Sequence, residues 1–353
     1  MSNMVSNTVS NPAPRLAALM SPERADDVVD ADARRLLEDR FEVVWAEPRH
    51  TVGEGSLAKP PALDPAAVAE LAAGADVLLT SWGTPHLGKE LWADGNGPKV
   101  VAHAAGTVKN LIDPVILDQG VGVFSAGPRI AWSVGEYCLA SMLTLARRLA
   151  RFDGAVRGGG WKQTAYRGHE LAGAKVGIIG ASSTARALIM LLKPFGCDVV
   201  VYDPYLSAER AAELGVRLAE LPETAESAFL SIHVPNVPET KGMISRALIE
   251  RLPDGAVVIN SSRGPAIEQQ ALLEHAVSGR IYAALDVYDP EPPTLAESAL
   301  RAENLLLTPH IAGDTAEGHL ALAGYVLKDA LQWLDDGTRG PSFVDPTLWS
   351  IAA

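Results

Sequence analysis

The sequence has few cysteines: Cys138 and Cys197 are the only thiols among 353 residues. Two thiols cannot form a disulfide framework or a zinc site built from cysteines, so the sequence excludes both. No histidine is spaced with an acid or with a second histidine as a pair of metal ligands, and we expect no metal. The shortage of thiols is typical of a reducing compartment, which makes the cytoplasm the expected location.

Basic charge and long apolar runs are also scarce. The 30 Lys and Arg residues are outnumbered by 43 Asp and Glu residues, and no basic run could neutralise a row of phosphates, so we expect no nucleic acid as a partner. No uncharged apolar stretch reaches the ~18 residues of a membrane helix. Residues 1–14 are rich in Ser, Asn and Pro and do not have the pattern of a signal peptide or membrane anchor. We expect a disordered tail there and no membrane partner.

What is present is a regular alternation of β-strand and helix patterns, which is typical of parallel sheets with helices on both faces. The length of 353 residues favours two domains. In the first part of the chain, strands are predicted over residues 15–20, 41–46, 76–81, 99–104 and 121–125. Helices are predicted between them over residues 25–38 and 64–73. These elements make one doubly wound α/β unit.

The second part of the chain repeats this pattern after one long helix, predicted over residues 130–155. Its strands are predicted over residues 175–180, 198–202, 229–234, 256–259, 281–285 and 305–308. This is the strand count of a dinucleotide-binding fold. A last helix, over residues 315–334, is expected to pack on the first domain. We therefore predict a discontinuous first domain of residues 15–128 and 318–353, and a second domain of residues 129–317.

A turn that suits a phosphate group follows the first strand of the second domain. The glycine positions of a dinucleotide-binding turn are occupied by Gly180, Ser182 and Ala185, and Asp203 follows the next strand, 23 residues after Gly180. The alternative is an ordinary strand-to-helix turn with a single glycine. An acid at the position of Asp203 accepts hydrogen bonds from the ribose hydroxyls and repels a 2′-phosphate, which favours NAD over NADP. The serine either weakens cofactor binding or adds a hydroxyl contact.

Three chemically distinct side chains follow three later strands in succession: Arg263, Glu291 and His310. Each alone is compatible with an ordinary loop residue, but parallel strands end at one edge of a sheet, so we expect the three to converge. Arg263 would bind a carboxylate bidentately and polarise the adjacent carbonyl group. His310 would donate a proton to the carbonyl oxygen as hydride arrives, and Glu291 would favour the protonated imidazole. This set suits hydride transfer to a 2-oxo acid, with Asp286 holding the nicotinamide carboxamide.

In order and spacing, the motifs of this chain resemble those of the D-isomer-specific 2-hydroxyacid dehydrogenases over roughly residues 16–334. The matching motifs are LAGAKVGIIG at residues 171–180, HVP and ET between residues 233 and 240, NSSRG at residues 260–264, LDVY and EP between residues 285 and 292, and TPH at residues 308–310. The departure is the phosphate turn, where the family usually has three glycines and this chain has Ser182 and Ala185.

The resemblance implies a fold and an assembly as well as roles. It implies two doubly wound parallel-sheet domains, a flavodoxin-like substrate domain and a Rossmann NAD-binding domain, that close over the site in a homodimer. It implies that Arg263 binds and polarises the substrate, that His310 is the acid/base, and that Glu291 tunes it. It also implies that backbone groups near three residues cradle the substrate carboxylate: Ala105, Gly106 and Thr107.

Further residues belong to the predicted site. The predicted cofactor-binding residues are Gly180, Ser182, Ser183, Thr184, Ala185, Asp203, His233, Pro235, Thr240, Ser261 and Asp286. We interpret His233 as structural or cofactor-lining rather than catalytic. Trp82 either shapes the choice of substrate or packs in a core.

Two functions remain open at this stage. The first is an NAD-dependent oxidoreductase that transfers hydride between NAD(H) and a 2-oxo/2-hydroxy acid. The alternative is a non-catalytic regulatory protein that senses NAD(H) on the same fold, because a fold alone does not determine function. The intact Arg, Glu and His set argues for the enzyme, and the altered glycine turn argues for the sensor.

Overall fold

A computed structural model describes residues 13–53, 55, 60–162 and 167–349. Most of the tail predicted over residues 1–14 lies outside these described residues. The chain forms two compact units. Unit 1 contains the chain up to Gly127 and again His319–Trp349, and unit 2 contains Pro128–Gly318.

Unit 1 is built on a parallel sheet with the strand order β2-β1-β5-β6-β7. The strands of unit 1 are β1 (Arg15–Leu19), β2 (Glu42–Trp45), β3 (Thr51–Val52), β4 (Ala62–Leu63), β5 (Val77–Thr80), β6 (Val100–His103) and β7 (Gly122–Ser125). All five predicted strands are confirmed within one or two residues at their ends. The short antiparallel pair β3 and β4 was not predicted. Strands such as β5 are buried along their whole length, because helices cover both faces of a parallel sheet.

The helices of unit 1 show where the sequence pattern misled. They are α1 (Pro22–Val28), α2 (Ala31–Arg40) and α3 (Pro65–Ala72), followed near the C-terminus by α13 (Leu322–Asp336). The single helix predicted over residues 25–38 is wrong: Val29 and Asp30 have extended backbone, and the Asp30 carboxylate accepts a hydrogen bond of 2.7 Å from the Ala33 N–H. This N-cap starts a second helix. Helix α13 packs against β6, β7 and α2.

Unit 2 contains a parallel sheet of seven strands in the order β10-β9-β8-β11-β12-β13-β14. The strands are β8 (Lys175–Ile179), β9 (Asp198–Tyr202), β10 (Arg217–Leu218), β11 (Phe229–Ile232), β12 (Val257–Asn260), β13 (Tyr282–Leu285) and β14 (Leu305–Leu307). The six predicted strands are confirmed, and the two-residue edge strand β10 is additional. The strand order reverses beside β8, and such a switch point is where open α/β sheets bind ligands.

Most helices of unit 2 cross between these strands. The helices of this part of the chain are α4 (Gly127–Ala146), α5 (Leu149–Arg157), α6 (Ser183–Leu192), α7 (Ala208–Leu214), α8 (Leu221–Ala225), α9 (Arg246–Glu250), α10 (Gln269–Val277), α11 (Glu297–Leu300) and α12 (Ala316–Leu320). The single helix predicted over residues 130–155 is wrong, because Arg148 adopts a left-handed conformation with φ = 54° and separates α4 from α5. The last predicted helix, over residues 315–334, is likewise two helices, α12 and α13.

Two apolar cores lie on opposite faces of the unit 2 sheet. Successive residues of a strand point to opposite faces, so Ile178 joins Met142 and Leu188 in one core, and Ile179 joins Ile249 in the other. With both faces covered, the free parts of the sheet are its ends, where the predicted site residues lie. Within the described ranges, no helix has both the length and the apolar character needed to cross a membrane.

Candidate active site

The turn between β8 and α6 requires glycine at its first position. Gly180 has φ = 89°, a left-handed conformation that side chains disfavour. A Cβ atom at this position would lie 2.7 Å from the carbonyl oxygen of His233. The backbone at the end of β8 therefore packs directly against the backbone that follows β11.

The second and third glycine positions do not require glycine in this chain. Ser182 has ordinary extended backbone, and its hydroxyl caps α6 by accepting a hydrogen bond of 3.5 Å from the Ala185 N–H. The same hydroxyl lies 2.9 Å from the Thr184 hydroxyl. Ala185 is fully buried, so its methyl group fits between helix and sheet. The serine hydroxyl is thus bonded within the turn, and α6 begins with a capped N-terminus.

Asp203, at the end of β9, holds the other side of this turn. Its Oδ2 accepts a hydrogen bond of 2.6 Å from the Ala181 N–H, and its Oδ1 accepts one of 2.7 Å from the Tyr205 N–H. Each carboxylate oxygen keeps a further lone pair that can accept from a hydroxyl group. A helix N-terminus that favours anions, next to an acid fixed at the neighbouring strand end, fits a dinucleotide.

His233 is a neutral, buried link behind the turn. Its Nδ1 lies 2.9 Å from the Thr184 hydroxyl, and its Nε2 lies 2.8 Å from the Ser231 hydroxyl. Burial lowers the pKa of His233 to about 3, so the ring carries no charge near neutral pH. This environment does not suit proton donation, in agreement with the interpretation of His233 as structural or cofactor-lining.

The hydroxyl groups of two other predicted cofactor-binding residues are engaged inside the protein. The Thr240 hydroxyl donates a hydrogen bond of 2.6 Å to the carbonyl oxygen of Pro235. The Ser261 hydroxyl lies 3.1 Å from the Cys138 sulfur. For Ser261, Pro235 and Thr240, cofactor binding stays a prediction.

The structure brings Glu291 and His310 together. They follow the neighbouring strands β13 and β14, and His310 Nδ1 lies 2.9 Å from Glu291 Oε2. Although burial alone would raise the pKa of Glu291, hydrogen bonds from His310 and the Tyr288 N–H, with the charge of Arg263, lower it. The carboxylate is therefore charged near neutral pH.

Arg263 belongs to the same electrostatic cluster. It follows β12, the strand next to β13, and its side chain is partly buried. Burial lowers the pKa of Arg263, and the charge of Glu291 opposes that shift. The guanidinium remains cationic because its ordinary pKa is far above neutrality. One nitrogen, Nη1, donates a hydrogen bond of 2.6 Å to the Ser262 carbonyl oxygen, and other N–H groups of the fork are left to bind an anion.

The loops that carry these side chains are locked to one another. A Cβ atom at Gly264 would lie 1.9 Å from the carbonyl oxygen of Tyr288, so only glycine allows the two backbones to touch. Asn260, which is fully buried, donates a hydrogen bond of 3.1 Å to the Arg263 carbonyl oxygen and accepts one of 3.2 Å from the Ser262 N–H. Asn260 was not among the predicted site residues, although a polar residue at the end of a buried strand was a visible signal.

Asp286 is bonded to the backbone that follows His310. Its carboxylate is fully buried and accepts hydrogen bonds of 2.8 Å from the backbone N–H groups of Ile311 and Ala312. The predicted contact of Asp286 with a nicotinamide carboxamide stays a prediction.

The predicted substrate contacts lie in unit 1. Ala105, Gly106 and Thr107 follow β6, and the Ser125 hydroxyl donates a hydrogen bond to the Gly106 carbonyl oxygen. Trp82 is 37% exposed, so core packing is wrong for it. Its ring stacks on that of His319 with 5.1 Å between the ring centroids. For the four predicted residues, substrate binding stays a prediction.

Comparison with known proteins identifies relatives of the chain. Residues 139–312 match the family model described as "D-isomer specific 2-hydroxyacid dehydrogenase, NAD binding domain". The chain is 34% identical over 227 residues to a hydroxypyruvate reductase from Thermotoga maritima, covering 63% of this chain and 73% of that protein. It is 33% identical over 233 residues to a D-3-phosphoglycerate dehydrogenase from Archaeoglobus fulgidus, covering 65% of this chain and 44% of that protein.

Some relatives differ from this chain in length, and a solved structure shares its fold. The chain spans about half the length of the phosphoglycerate dehydrogenases that it matches. A crystal structure of a phosphoglycerate oxidoreductase from Rhizobium etli superposes with a TM-score of 0.77 at 23% identity, covering 94% of this chain and 98% of that chain. This similarity establishes the fold.

Proposed function

The chain belongs to the D-isomer specific 2-hydroxyacid dehydrogenase family, and from that premise we propose that it transfers hydride between NAD(H) and a 2-oxo/2-hydroxy acid. In this proposal His310 is the acid/base, Glu291 assists it, and Arg263 binds the substrate carboxylate. The observation that carries the proposal is the contact of 2.9 Å between His310 and Glu291 at neighbouring strand ends.

His310 has the geometry of a proton donor. Its Nδ1 is bonded to Glu291, so Nε2 would be the atom that meets the substrate, and the side chain is 54% exposed. In the reducing direction, Nε2 would give its proton to the carbonyl oxygen while that oxygen gains negative charge. In the oxidising direction, the neutral imidazole would take the proton of the 2-hydroxyl group. In both directions Glu291 would hold the ring through Nδ1.

Arg263 is suited to bind and polarise a 2-oxo acid. A guanidinium binds a carboxylate through two parallel N–H groups, which holds the adjacent carbonyl group in one orientation. Partial burial of Arg263 excludes water and strengthens its interaction with an anion. The hydrogen bond from Asn260 to the Arg263 carbonyl oxygen fixes the backbone from which this side chain projects.

The β8–α6 turn and Asp203 are the proposed site of NAD. The N-terminus of α6 would bind the pyrophosphate, and the Asp203 carboxylate would accept from the ribose hydroxyls. Bound NAD(H) would supply or accept the hydride. The Ser182 hydroxyl lies at the same N-terminus, where it either donates to the pyrophosphate or remains the cap of α6.

Oxidation of NADH in the presence of a panel of 2-oxo acids tests this function. We expect substrate-dependent oxidation by the parent and a loss of about 10²- to 10⁴-fold in kcat for His310→Gln. His275→Gln makes the same change on α10, where His275 Nδ1 accepts from Arg280, and should retain parental activity. Arg263→Gln should also lose activity, and Arg263→Lys should not restore it, because lysine cannot bind a carboxylate bidentately. Binding of NADH without any substrate-dependent oxidation would instead support the sensor.

A homodimer is also part of the proposal, supported by the surface of α5. No residue of α5 is buried, and Leu149 and Val156 on this helix are more than half exposed. Trp161, which follows α5, is 75% exposed. A second copy of the chain would cover such apolar side chains. Sedimentation equilibrium should give a dimer for the parent and a monomer for Val156→Glu, and a monomeric parent would contradict the proposal.

A further inference from the structure

We propose that Tyr137, Thr308 and Asp286 form a hydrogen-bonded relay, fully buried at Asp286 and partly buried at the other two residues, that positions His310. The inference rests on the function proposed above for His310. The three residues come from α4, from the end of β14 and from the end of β13, so the relay connects a helix with two neighbouring strands. None of them is needed to donate or accept the reacting proton, and each acts through the backbone of the His310 loop.

The starting observation is the backbone of His310. His310 has φ = 58°, and Arg148 is the one other non-glycine with a positive φ among the described residues. A left-handed conformation is unfavourable for a residue with a Cβ atom, and it persists where the surroundings determine it. The two residues after His310 supply that restraint, because the N–H groups of Ile311 and Ala312 both donate to Asp286 at 2.8 Å.

The buried carboxylate of Asp286 depends on hydrogen bonds from the surrounding loop. Its side chain is fully buried, and a buried carboxylate is unfavourable unless its oxygens accept hydrogen bonds. Its third donor is the Thr308 hydroxyl, which lies 2.7 Å from Oδ1. Three donors from the same loop fix both carboxylate oxygens. The carboxylate in turn fixes the loop on either side of His310.

Tyr137 completes the relay from α4. Its hydroxyl lies 2.7 Å from the Thr308 hydroxyl. A hydroxyl group has one hydrogen, and that of Thr308 is directed at Asp286, so Tyr137 is the donor to Thr308. Burial is the main cause that raises the pKa of Tyr137, so this donor keeps its proton. The order of donation is therefore Tyr137 to Thr308 to Asp286.

The backbone of Thr308 is restrained as well. The Tyr288 hydroxyl lies 3.0 Å from the Thr308 carbonyl oxygen, to which it donates, and the Tyr288 N–H donates to Glu291 at 2.9 Å. Tyr288 thereby contacts both Glu291 and the strand end that leads to His310. Loss of the Thr308 hydroxyl should release the His310 loop and leave the Glu291 side of the pair in place.

Amide hydrogen exchange, measured on the full-length protein without cofactor, tests the hydrogen bonds from Tyr137 to Thr308 to Asp286 directly. In Thr308→Val, which keeps the shape and removes the hydroxyl, we expect the Ile311 and Ala312 amides to exchange about tenfold faster, the effect of losing one hydrogen bond. Thr308→Ser keeps the hydroxyl and should exchange like the parent. The matched control is Thr224→Val, because the buried Thr224 hydroxyl donates to the Glu220 carbonyl oxygen on α8. Parental exchange in Thr308→Val, or equal acceleration of all amides of unit 2, would overturn the proposal.

Steady-state kinetics provides the second measurement. We expect Thr308→Val and Tyr137→Phe to lower kcat about tenfold while the KM values for NADH and the 2-oxo acid stay within about twofold, because the loss is in orientation rather than in binding. A rise in both KM values with unchanged kcat would contradict a positioning role. A parent protein that turns over no 2-oxo acid would refute the proposed function. The amide exchange rates would still decide whether the hydrogen bonds of Tyr137, Thr308 and Asp286 hold the His310 loop.

Discussion

Mild acid should destabilise unit 1 through the buried side chain of His103. This residue ends β6, it is 5% exposed, and its Nδ1 lies 2.9 Å from the Thr80 hydroxyl. Burial lowers the pKa of His103 to about 4, and a backbone hydrogen bond to Thr107 opposes that shift. In the unfolded chain the same imidazole has a pKa of about 6.5. The two states therefore bind different numbers of protons over a defined range of pH.

The sign and size of the effect follow from these two values. Between about pH 6.5 and about pH 4 the unfolded state binds a proton that the folded state excludes, so stability falls as pH falls. Above that range the contribution of neutral His103 to stability is fully present. From about pH 8 to about pH 5.5, the free energy of unfolding should decrease by about 1.4 kcal/mol for this one site. The result depends little on the folded value, provided that it lies well below pH 5.5.

Urea unfolding followed by tryptophan fluorescence measures this change in unit 1. The tryptophans of unit 1 are Trp45, Trp82, Trp92, Trp333 and Trp349. His103→Asn cannot be protonated, so its unfolding free energy should lose about 1.4 kcal/mol less than that of the parent over the same pH interval. His86→Asn makes the same change at an exposed histidine of unit 1 but leaves His103 in place, so it should still show the decrease that His103 causes. Equal pH dependence of the parent and His103→Asn would refute the reasoning.

Three further predictions concern unit 2. In fluorescence titrations, Asp203→Ala should raise the Kd for NAD about tenfold and reduce the preference for NAD over NADP. An unchanged preference would contradict the proposed role of this acid. Glu291→Gln should lower kcat about tenfold in steady-state assays, because the imidazolium loses its charged partner; parental kcat would exclude that role. Gly264→Ala should destabilise by about 3 kcal/mol or more in urea, since its Cβ atom would lie 1.9 Å from the Tyr288 carbonyl oxygen. Gly154→Ala on α5, where a Cβ atom meets nothing within 4 Å, should be neutral or stabilising, so equal effects would contradict this account.

The strands were predictable because parallel strands carry their signal locally. A strand such as β12 (Val257–Asn260) is buried on both faces, so it appears in the sequence as an unbroken apolar run. The strands that escaped prediction, such as β10 (Arg217–Leu218), have two residues each. A run of two residues has no periodicity, and its assignment depends on the strand it pairs with.

Helix ends were less predictable because they depend on single residues. The apolar spacing over residues 130–155 is continuous across Arg148, whose left-handed backbone divides it into two helices. Arg148 is neither glycine nor asparagine, so its identity gives no warning of a break. Asp30 did carry a warning, because aspartate is a preferred N-cap residue.

The candidate site residues could be selected from the sequence, but the contacts that hold them could not. Parallel strand ends meet at one edge, which is why Arg263, Glu291 and His310 could be selected before their distances were known. Tyr137 lies within the long helix predicted over residues 130–155, a prediction that gives no role to its hydroxyl group. Its hydroxyl acquires a role through a contact with Thr308, 171 residues away in the chain.

By itself the sequence determined the α/β class, the succession of strands and the identity of the side chains at their ends. These features follow from the local hydrophobic pattern, which can be read from the sequence alone. Only the tertiary structure decided which of those side chains bond, as His310 does to Glu291, and which backbone atoms hold them. Hydrogen bonds need distances of about 3 Å, whereas the strand pattern positions a side chain only to within a residue or two. The packing of one strand end on another, as at Gly264, supplies that precision.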